Sequence, residues 1–305
     1  MAGGTIAGMD LKQLEYFVHV AELGSFTRAS SVLRVAQPAL SRQVRSLEVE
    51  LRQPLFDRNG RGVTLTEAGK RLLAHGRGIL QQVERARQDL EDQRGAATGH
   101  LAVGLPPSLS RTLTAPLVEA FRARFPRATL TVVEGLSAYA LEWLALGRID
   151  CAAVYNVAPS AAIDLQPVQD EALFLVSARA HAPAKPVSLA KLAEHELVMP
   201  SRPHSIRMLL ETTLAGAGLK PRIGLEIESV PAILDLVERH PLHAVLAADA
   251  LSGRADAFVA RPIVVTKDQP LAAHLWLATS AQRPRGPLVE QGRALLAQVL
   301  RARAG

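Results

Sequence analysis

The sequence predicts three parts: an all-α head that carries a β-hairpin, a long linker helix, and an α/β domain. Two short amphipathic segments separated by a tight turn lie within residues 25–51. Apolar or small residues then recur at alternating steps of four and three between residues 72 and 90. Beyond residue 99, short apolar segments alternate with amphipathic ones, which indicates strands and helices of a parallel sheet. With 305 residues, the chain is long enough to give each part its own core.

Composition excludes several classes of protein. Hydrophobic residues make up 48% of the chain and charged residues 21%, which argues for a compact protein rather than a disordered one. No apolar run approaches the roughly 18 residues of a membrane span, and residues 1–8 lack the basic and apolar regions of a secretory signal. The single cysteine, Cys151, excludes an intrachain disulfide and suits a reducing compartment. We therefore expect a cytoplasmic protein with no membrane partner, and a disordered tail at residues 1–8.

Three helices are predicted for the head, which we assign to residues 9–66. The first helix is marked by apolar residues at helical spacing: Leu11, Leu14, Phe17, Val18 and Ala21. Gly24 is suited to end that helix and Ser25 to cap the next one. The apolar face of the second helix contains Phe26, Ala29, Val32 and Leu33. Only Val35 and Ala36 then remain for a tight turn before the third helix.

The third helix has a narrow apolar stripe and a polar opposite side. The stripe consists of Leu40, Val44, Leu47 and Leu51. The residues on the opposite side are Pro38, Ser41, Arg42 and Arg45. Two short helices joined by a tight turn, the second with outward cations, are typical of a helix-turn-helix that inserts a recognition helix in the DNA major groove. The third helix alone would also fit an ordinary surface helix.

Five sequence blocks carry a more specific signal. They are FTRAS at residues 26–30, AQPALSRQV at 36–44, LE at 47–48, LFDR at 55–58 and LTEAG at 65–69. In order and spacing they resemble the signature of LysR-type transcriptional regulators. The resemblance implies a winged helix-turn-helix that binds a palindromic promoter site, a C-terminal domain that binds a small-molecule effector, and no catalytic activity. Ala36 departs from the family, which commonly has a serine there as the cap of the recognition helix.

Residues that would contact double-stranded DNA follow from this resemblance. They are Thr27, Arg28, Gln37, Pro38, Ser41, Arg42, Arg45, Arg58 and Arg61. We expect Gln37, Ser41 and Arg42 to read bases, and the last two arginines to lie beside the backbone or the minor groove. Between residues 25 and 77, ten Lys and Arg stand against four acidic residues, an excess that equals the net charge of +6 of the whole chain. Such a surplus suits phosphate neutralisation, although a solvated basic face would have the same composition.

A wing and a linker helix are predicted to follow the recognition helix. A glycine-rich turn at residues 59–62 lies between short alternating segments, which predicts a β-hairpin. Thr66 is suited to cap a long helix over residues 67–94, with apolar or small residues at coiled-coil spacing. We predict dimerisation through Leu72, Ile79, Val83 and Leu90, and the family often assembles further into tetramers. The alternative is a helix that packs on its own head.

The α/β domain is predicted from residue 99 to residue 305, after a hinge at residues 95–99. Strands are predicted at residues 100–105, 128–134, 150–155, 174–176, 196–199, 225–227, 244–246 and 274–278, and helices at 113–125, 138–146 and 287–300. LysR-type effector domains resemble type 2 periplasmic binding proteins, which have two lobes. The resemblance implies lobe I at about 99–160 and 272–305, lobe II at about 166–265, and crossovers near 155–167 and 263–271.

Hydroxyl-bearing segments follow several predicted strands, where ligands bind in open α/β sheets because helix N-termini offer unpaired amides. The candidate effector-binding residues are Ser108, Leu109, Ser137, Ser201, His204 and Ser229. That they converge on one cleft is implied by the family, and each serine alone would also fit a simple helix cap. We expect a small, anionic metabolite rather than a cofactor. The PSRPH segment at residues 200–204 resembles the branch that contains nitrogen assimilation control proteins.

Three other interpretations remain to be weighed. His240 and His243 could hold a metal ion, but no third ligand is in pattern, so no metal site is predicted. An enzyme with a DNA-binding head would need a catalytic motif, and neither a G-x-S-x-G elbow nor an H-E-x-x-H pair is present. An architectural DNA-binding protein would not need so large a C-terminal domain. We therefore expect a regulator whose partners are promoter DNA, a metabolite, further copies of the chain and RNA polymerase.

Overall fold

The computed structural model describes residues 9–59, 62–91, 99–179, 185–266 and 269–303. The chain divides into two compact units, with the boundary along the chain at Gly95, and we call them the head and the C-terminal domain. The predicted tail at residues 1–8, most of the predicted hinge and Arg61 lie outside the described residues. Among the helices that the structure describes, none is both long enough and apolar enough to cross a membrane.

The head begins with the three predicted helices: α1 (Leu11–Leu23), α2 (Phe26–Leu33) and α3 (Gln37–Leu51). Local signals set their ends. Gly24 ends α1 in the left-handed region, with φ at 60°, and the hydroxyl of Ser25 accepts a hydrogen bond from the amide of Arg28 at the start of α2. No side chain caps α3, as expected from Ala36.

The wing is an antiparallel hairpin of β1 (Phe56–Asn59) and β2 (Gly62–Leu65). It is held against α3 by Glu48, whose Oε1 accepts hydrogen bonds from the amides of Leu55 at 2.8 Å and Phe56 at 3.2 Å. The ring of Phe56 packs on Phe17 of α1, with ring centroids 5.3 Å apart. The wing is therefore attached directly to α3 and α1.

The apolar stripe of α3 is shorter than predicted. Leu40, Val44 and Leu47 are fully buried in the head core, but Leu51 is 36% exposed. The reason is that α3 ends at Leu51, where Arg52 turns into the left-handed region. The last leucine of the stripe therefore lies beyond the core.

The linker helix, α4 (Glu67–Glu91), starts at the predicted cap. The hydroxyl of Thr66 accepts from the amide of Gly69 at 3.0 Å and donates to the carbonyl of Pro54 at 2.7 Å. Gly76 allows a close approach to α1, because a Cβ there would lie 3.0 Å from Leu14. Leu72 is half-buried and packs on the core of its own head. Its predicted contact with a partner stays a prediction.

The C-terminal domain contains a first lobe, lobe I, formed by residues 99–172 and 272–303. Its elements are β3 (Gly99–Leu105), α5 (Pro107–Arg124), β4 (Ala128–Glu134), α6 (Ser137–Leu146), β5 (Cys151–Tyr155), the first part of β6 (Ile163–Ala178), β13 (Ala272–Ser280) and α10 (Pro287–Ala302). Strands β4, β3 and β5 are parallel, and β13 continues the sheet in the antiparallel direction. Helix α5 begins six residues earlier than predicted, at Pro107, because proline is well suited to the first turn of a helix. Cys151 is buried in β5, and this burial raises the pKa of its thiol far above the ordinary value.

Lobe II is formed by residues 173–271. After the second part of β6, its elements are β7 (Val187–Ser188), α7 (Leu189–Glu194), β8 (Glu196–Met199), α8 (Ser205–Gly216), β9 (Arg222–Glu226), α9 (Val230–Arg239), β10 (Ala244–Ala247), two short 3-10 helices (Ala248–Leu251 and Ala255–Ala257), β11 (Phe258–Thr266) and β12 (Gln269–Pro270). β10 and β11 pair antiparallel with β6, and β8 pairs parallel with β9.

The lobes are joined inside the sheet rather than by loops. Residues 163–172 of β6 pair with β13, whereas residues 173–178 pair with β10 and β11. At the change of partner, the amide of Leu173 donates to the carbonyl of Leu271 at 2.8 Å. The first crossover therefore lies near Ala172, later in the chain than the predicted range of 155–167. The second lies at Leu271, the end of its predicted range.

Candidate DNA-binding surface and ligand cleft

The third helix presents its polar side away from the head core. Gln37, Pro38, Arg42 and Arg45 are exposed, and Ser41 is half-buried beside them. Within the described part of the chain, neither Arg42 nor Arg45 forms an ion pair or a side-chain hydrogen bond. Guanidinium groups without an intramolecular partner are available for phosphate oxygens and for the edges of guanine bases.

The start of α2 adds to this surface. Thr27 and Arg28 are exposed on its first turn. The carbonyl of Thr27 accepts hydrogen bonds from the hydroxyls of Ser30 at 2.9 Å and Ser31 at 3.1 Å. Arg58 lies on β1 opposite Val63, but its side chain is outside the described part of the structure. Its predicted role in the wing, like that of Arg61, stays a prediction.

A cleft of about 880 Å³ opens at the carboxyl ends of strands from both lobes of the C-terminal domain. Lobe I contributes the starts of α5 and α6, and lobe II the starts of α8 and α9. The lining residues include Pro107, Ser108, Ser110, Arg111, Glu134, Gly135, Tyr139, Trp143, Ser201, Arg202, His204, Glu228, Ser229 and Asp249. The volume lies in the range of sites for small metabolites.

Four of the six predicted effector residues line this cleft: Ser108, Ser201, His204 and Ser229. The other two do not. Leu109 is fully buried in the core of the C-terminal domain, because α5 turns that face towards the sheet. Ser137 is 7% exposed, and its hydroxyl accepts a hydrogen bond from the amide of Tyr155 at 2.9 Å. It ties α6 to β5 and does not line the cleft.

The sequence analysis did not predict the charged and aromatic residues that line the cleft. Arg111 lies one turn into α5 and went unnoticed because the helix was expected to begin at Leu113. Glu134 and Glu228 come at or just after a strand end, directly before predicted hydroxyl segments, so the same positional rule should have included them. Tyr139 and Trp143 stack with ring centroids 6.5 Å apart, as expected for residues four apart on a helix.

The cleft is electrostatically mixed. Glu228 accepts hydrogen bonds from both the amide and the hydroxyl of Ser201. His204 caps α8, with its Nδ1 accepting from the amide of Ile206 at 3.3 Å, and burial lowers the pKa of its ring. From lobe I, the guanidinium of Arg111 donates to the carbonyl of Ser252 in lobe II at 2.9 Å. The two lobes are thus bridged across the cleft.

A second group of charges lies behind the cleft, around a small space that Ser108 and His204 also line. The hydroxyl of Tyr155 donates to Glu171 at 2.8 Å. Arg303 forms ion pairs with Glu171, close to the lobe crossover, and with Asp249 of lobe II at 2.9 Å. Burial first, and then the nearby Glu171 carboxylate, raise the pKa of Tyr155. This group connects lobe I to lobe II at the floor of the cleft.

Arg207 holds the segment that carries four of the cleft-lining residues. It is only 6% exposed and donates to the carbonyl of Pro200 at 3.2 Å. Its other contacts are Glu211 at 2.5 Å and Glu226 at 3.2 Å. The buried guanidinium therefore anchors the segment from Pro200 to His204, although Arg207 does not itself line the cleft.

The two histidines considered for a metal site have other surroundings. His240 is exposed at the end of α9, whereas His243 contacts Ser177 and the ring of His195. In the described ranges, no group of three or more His, Cys, Asp or Glu side chains is arranged to hold a metal ion.

A helix that presents unpaired arginines and a metabolite-sized cleft on the same chain are the features of a DNA-binding protein with a ligand-binding domain. The model of the bacterial regulatory helix-turn-helix protein of the lysR family matches residues 11–70, and that of the LysR substrate binding domain matches residues 94–301. The chain belongs to the LysR family. It is a LysR-family transcriptional regulator with a helix-turn-helix DNA-binding domain and a substrate-binding effector domain.

Known proteins resemble the chain over nearly its whole length. The nitrogen assimilation regulatory protein nac of Escherichia coli (strain K12) is 34% identical over 277 residues, covering 90% of each chain. Its counterpart from Klebsiella aerogenes is 34% identical over 291 residues, covering 94% of this chain and 93% of its own. Full-length CbnR, crystallised with its target DNA, has the same fold, with a TM-score of 0.70, 24% identity, and coverage of 95% and 100%.

Arg207 provides a test of how the cleft is supported. We expect Arg207→Met to lower the free energy of unfolding of the C-terminal domain by about 2–4 kcal/mol, because Glu211 loses its buried partner. The control, Arg202→Met, removes an arginine that contacts the same Glu211 but is 67% exposed, and should cost less than about 1 kcal/mol. Urea unfolding followed by tryptophan fluorescence reports this domain, since Trp143 and Trp276 are the two tryptophans of the chain. Equal effects of both substitutions would contradict the proposed anchoring.

Proposed function

We propose that the chain recognises a promoter site through α3 and the wing, and that ligand occupancy of the cleft changes its effect on transcription. Promoter recognition is supported above all by the two exposed, unpaired arginines on α3, Arg42 and Arg45. The relative CbnR was crystallised with its target DNA, which supports the same mode here. The family relation and the two-lobed cleft support the second half of the proposal. A dimer would place two recognition helices in successive major grooves of an interrupted palindrome.

Base readout is assigned to Gln37, Ser41 and Arg42, the three polar positions on the outer side of α3. Contacts to the sugar-phosphate backbone are assigned to Thr27, Arg28, Pro38 and Arg45, and wing contacts to Arg58 and Arg61. Phosphate contacts fix the register of the protein on DNA, and base contacts supply the specificity.

The DNA proposal predicts two different responses to loss of a cation. Arg42→Ala should weaken operator binding by roughly 1–3 kcal/mol and reduce discrimination between operator and random DNA, because a guanidinium that reads a base edge is lost. Lys12→Ala, which removes an exposed cation from α1, should leave both nearly unchanged. Fluorescence anisotropy at several salt concentrations measures both. If Arg42→Ala binds operator as tightly as the parent protein, the recognition helix is assigned incorrectly.

Self-association is assigned to the part of α4 beyond Leu72. Ile79 is 37% exposed although apolar, and Val83 lies one turn further along the helix. Leu90 continues the same spacing, with its side chain outside the described part. We propose a dimer through these three residues, assembled further into a tetramer.

Val83→Asp tests this seam. Two carboxylates would face each other in an apolar contact, so we expect the main species to become smaller and operator affinity to fall. Gln81→Asp places the same carboxylate on the opposite side of α4 and should leave the assembly intact. Sedimentation velocity distinguishes the two outcomes. A Val83→Asp protein that sediments as the parent does would mean that α4 packs only within its own chain.

The effector is proposed to be a small metabolite held between the lobes by Ser108, Ser201, His204 and Ser229. The hydroxyl segments of the sequence led us to expect an anionic ligand, and the charged residues that line the cleft restrict this expectation. Two arginines, Arg111 and Arg202, face the cleft together with three carboxylates: Glu134, Glu228 and Asp249. Asp249 is paired with Arg303, but among the described residues neither Glu134 nor Glu228 forms an ion pair, so both would repel a purely anionic ligand. We therefore propose a ligand that carries hydrogen-bond donors or a cation besides any anionic group.

A thermal-shift screen tests the effector proposal. A ligand at 100 times its Kd should stabilise the folded C-terminal domain by about 2.7 kcal/mol, a melting shift of a few degrees. For a ligand so identified, Glu228→Gln should reduce the shift, because a carboxylate acceptor becomes a neutral amide. Glu119→Gln, on an exposed part of α5 outside the cleft, should not reduce it. A screen of dipolar metabolites without any shift would contradict the proposal and favour a ligand-independent architectural protein.

We further propose that the chain acts in the cytoplasm, at promoter DNA and in contact with RNA polymerase, and that it has no catalytic residues and no cofactor. The family relation supports this, since the relatives are transcription regulators. Two of them are named for nitrogen assimilation, so promoters of nitrogen-source genes are the first candidates for footprinting.

A further inference from the structure

A polar cluster lies at the end of lobe II that faces away from the cleft. It consists of His195, His243, Ser177 and Arg261, and we call it the outer cluster. His195 directly precedes β8 and His243 directly precedes β10, and these two strands run parallel. The cleft residues Ser201 and Asp249 follow the same two strands. The outer cluster is therefore at the amino ends of the strands whose carboxyl ends form the cleft.

The side chains of the outer cluster contact one another in succession, from Ser177 through His243 and His195 to Arg261. The rings of His195 and His243 meet edge to face, with centroids 4.3 Å apart. Nδ1 of His243 is 2.7 Å from the hydroxyl of Ser177. Nη2 of Arg261 is 3.5 Å from Nε2 of His195, which is the outer limit of a hydrogen bond. Both histidines are half-buried, so the chain of contacts ends close to solvent.

Arg261 lacks the partner that a buried guanidinium needs. It is 6% exposed, its Nε has no hydrogen-bond acceptor, and among the described residues no carboxylate forms an ion pair with it. Burial lowers the pKa of Arg261. Arg207 is equally buried in the same lobe, but it contacts two carboxylates, Glu211 and Glu226. A buried charge without a counter-charge is strongly unfavourable, so the guanidinium of Arg261 is in a less favourable environment than that of Arg207.

The acidic residues on either side of His195 are paired with other cations. Glu194 forms an ion pair with Lys191 at 2.5 Å, and Glu196 forms one with Arg222 at 3.4 Å. Neither of these two carboxylates compensates the positive charge of Arg261. The pKa of His195 is lowered, first by burial and then by the positive charges of Arg261 and Lys191. The carboxylate of Glu194 acts in the opposite direction.

We propose that the outer cluster is a second ligand site, which binds a small oxyanion such as phosphate or a carboxylate independently of the cleft. A planar guanidinium donates two parallel hydrogen bonds to such an anion, and no loss of a proton competes with binding. The histidines supply the rest of the site. His195 now accepts a weak hydrogen bond from Arg261, and on protonation it becomes a donor to the anion.

Binding at this site is linked to pH. A bound anion raises the pKa of His195, because it offsets the positive charge of Arg261 and Lys191 that now opposes protonation. The protonated ring in turn favours the anion. For acetate, whose charge is the same at both pH values, the affinity is therefore higher at pH 6 than at pH 8. The carboxylate of Glu194 favours protonation in both states, and Ser177 fixes the ring of His243. Neither reverses the direction.

The experiment titrates the full chain with inorganic phosphate, and separately with acetate, against chloride at equal ionic strength. The ring signals of His195 and His243 are followed by long-range proton–nitrogen NMR and assigned with His195→Asn and His243→Asn. They should shift on addition of either anion until the site is saturated. For acetate, saturation should be reached at a lower concentration at pH 6 than at pH 8. Arg261→Gln should weaken phosphate binding at least tenfold. Arg239→Gln, which removes the same charge from an exposed position of lobe II, should leave the affinity within twofold. Phosphate that binds the basic head is common to all variants and does not move these ring signals.

Several results would overturn the proposal. Ring signals that do not respond to either anion in the parent protein would show that Arg261 is a buried structural residue, and this test holds even where Arg261→Gln fails to fold. A response to heparin but to neither small anion would mean a docking surface for a macromolecule instead. A phosphate response that Glu228→Gln abolishes would assign the anion to the cleft. If cleft variants lose their response to the effector but still bind phosphate, the outer cluster is a separate site. The cleft proposal and the outer-cluster proposal can therefore be tested independently.

Discussion

The change of partner along β6 is the constraint on which the C-terminal domain depends. One strand of 16 residues belongs to both lobes, first beside β13 and then beside β10 and β11. Its amides and carbonyls remain paired through the crossing, where Leu173 bonds to Leu271. The lobes therefore cannot separate by extending a flexible loop. Any change in the width of the cleft must come from bending or twisting of the strands at this point, and the ladder allows few such arrangements.

The charges around the crossing bear directly on that bending. Glu171 lies two residues before Leu173 and pairs with Arg303, which also contacts Asp249 on the other lobe. Arg111 makes a further bridge from lobe I to the backbone of lobe II. A ligand between the lobes contacts the elements that carry these bridges, so it can favour one arrangement over another. It can do so only by as much as its affinity differs between the arrangements.

The sequence was sufficient where a feature depends on neighbours along the chain. Ser25, Gly24 and Thr66 act where their local signals placed them, and the head was predicted helix by helix. Predictions failed where burial against distant residues decides. Ser108 and Ser137 give the same signal, a hydroxyl at the start of a helix after a strand, yet one lines the cleft and the other is consumed by the amide of Tyr155. Leu72 fits a coiled-coil seam by spacing, and the spacing gave no sign that it also packs on the core of its own head.

Three arginines of the C-terminal domain show the same limit more sharply. Arg207 has a carboxylate four residues away on its own helix, so its pair with Glu211 is visible in the sequence. Arg303 pairs with Glu171 and Asp249, which only the fold brings together. Arg261 has no carboxylate partner in the described structure, and nothing in its neighbourhood along the chain sets it apart from the other two. An uncompensated charge in an otherwise consistent core is where a fold gives up stability for a function. The C-terminal domain therefore has two polar regions with different charge balance. Opposite charges lie together in the cleft, whereas no carboxylate of the described structure pairs with Arg261.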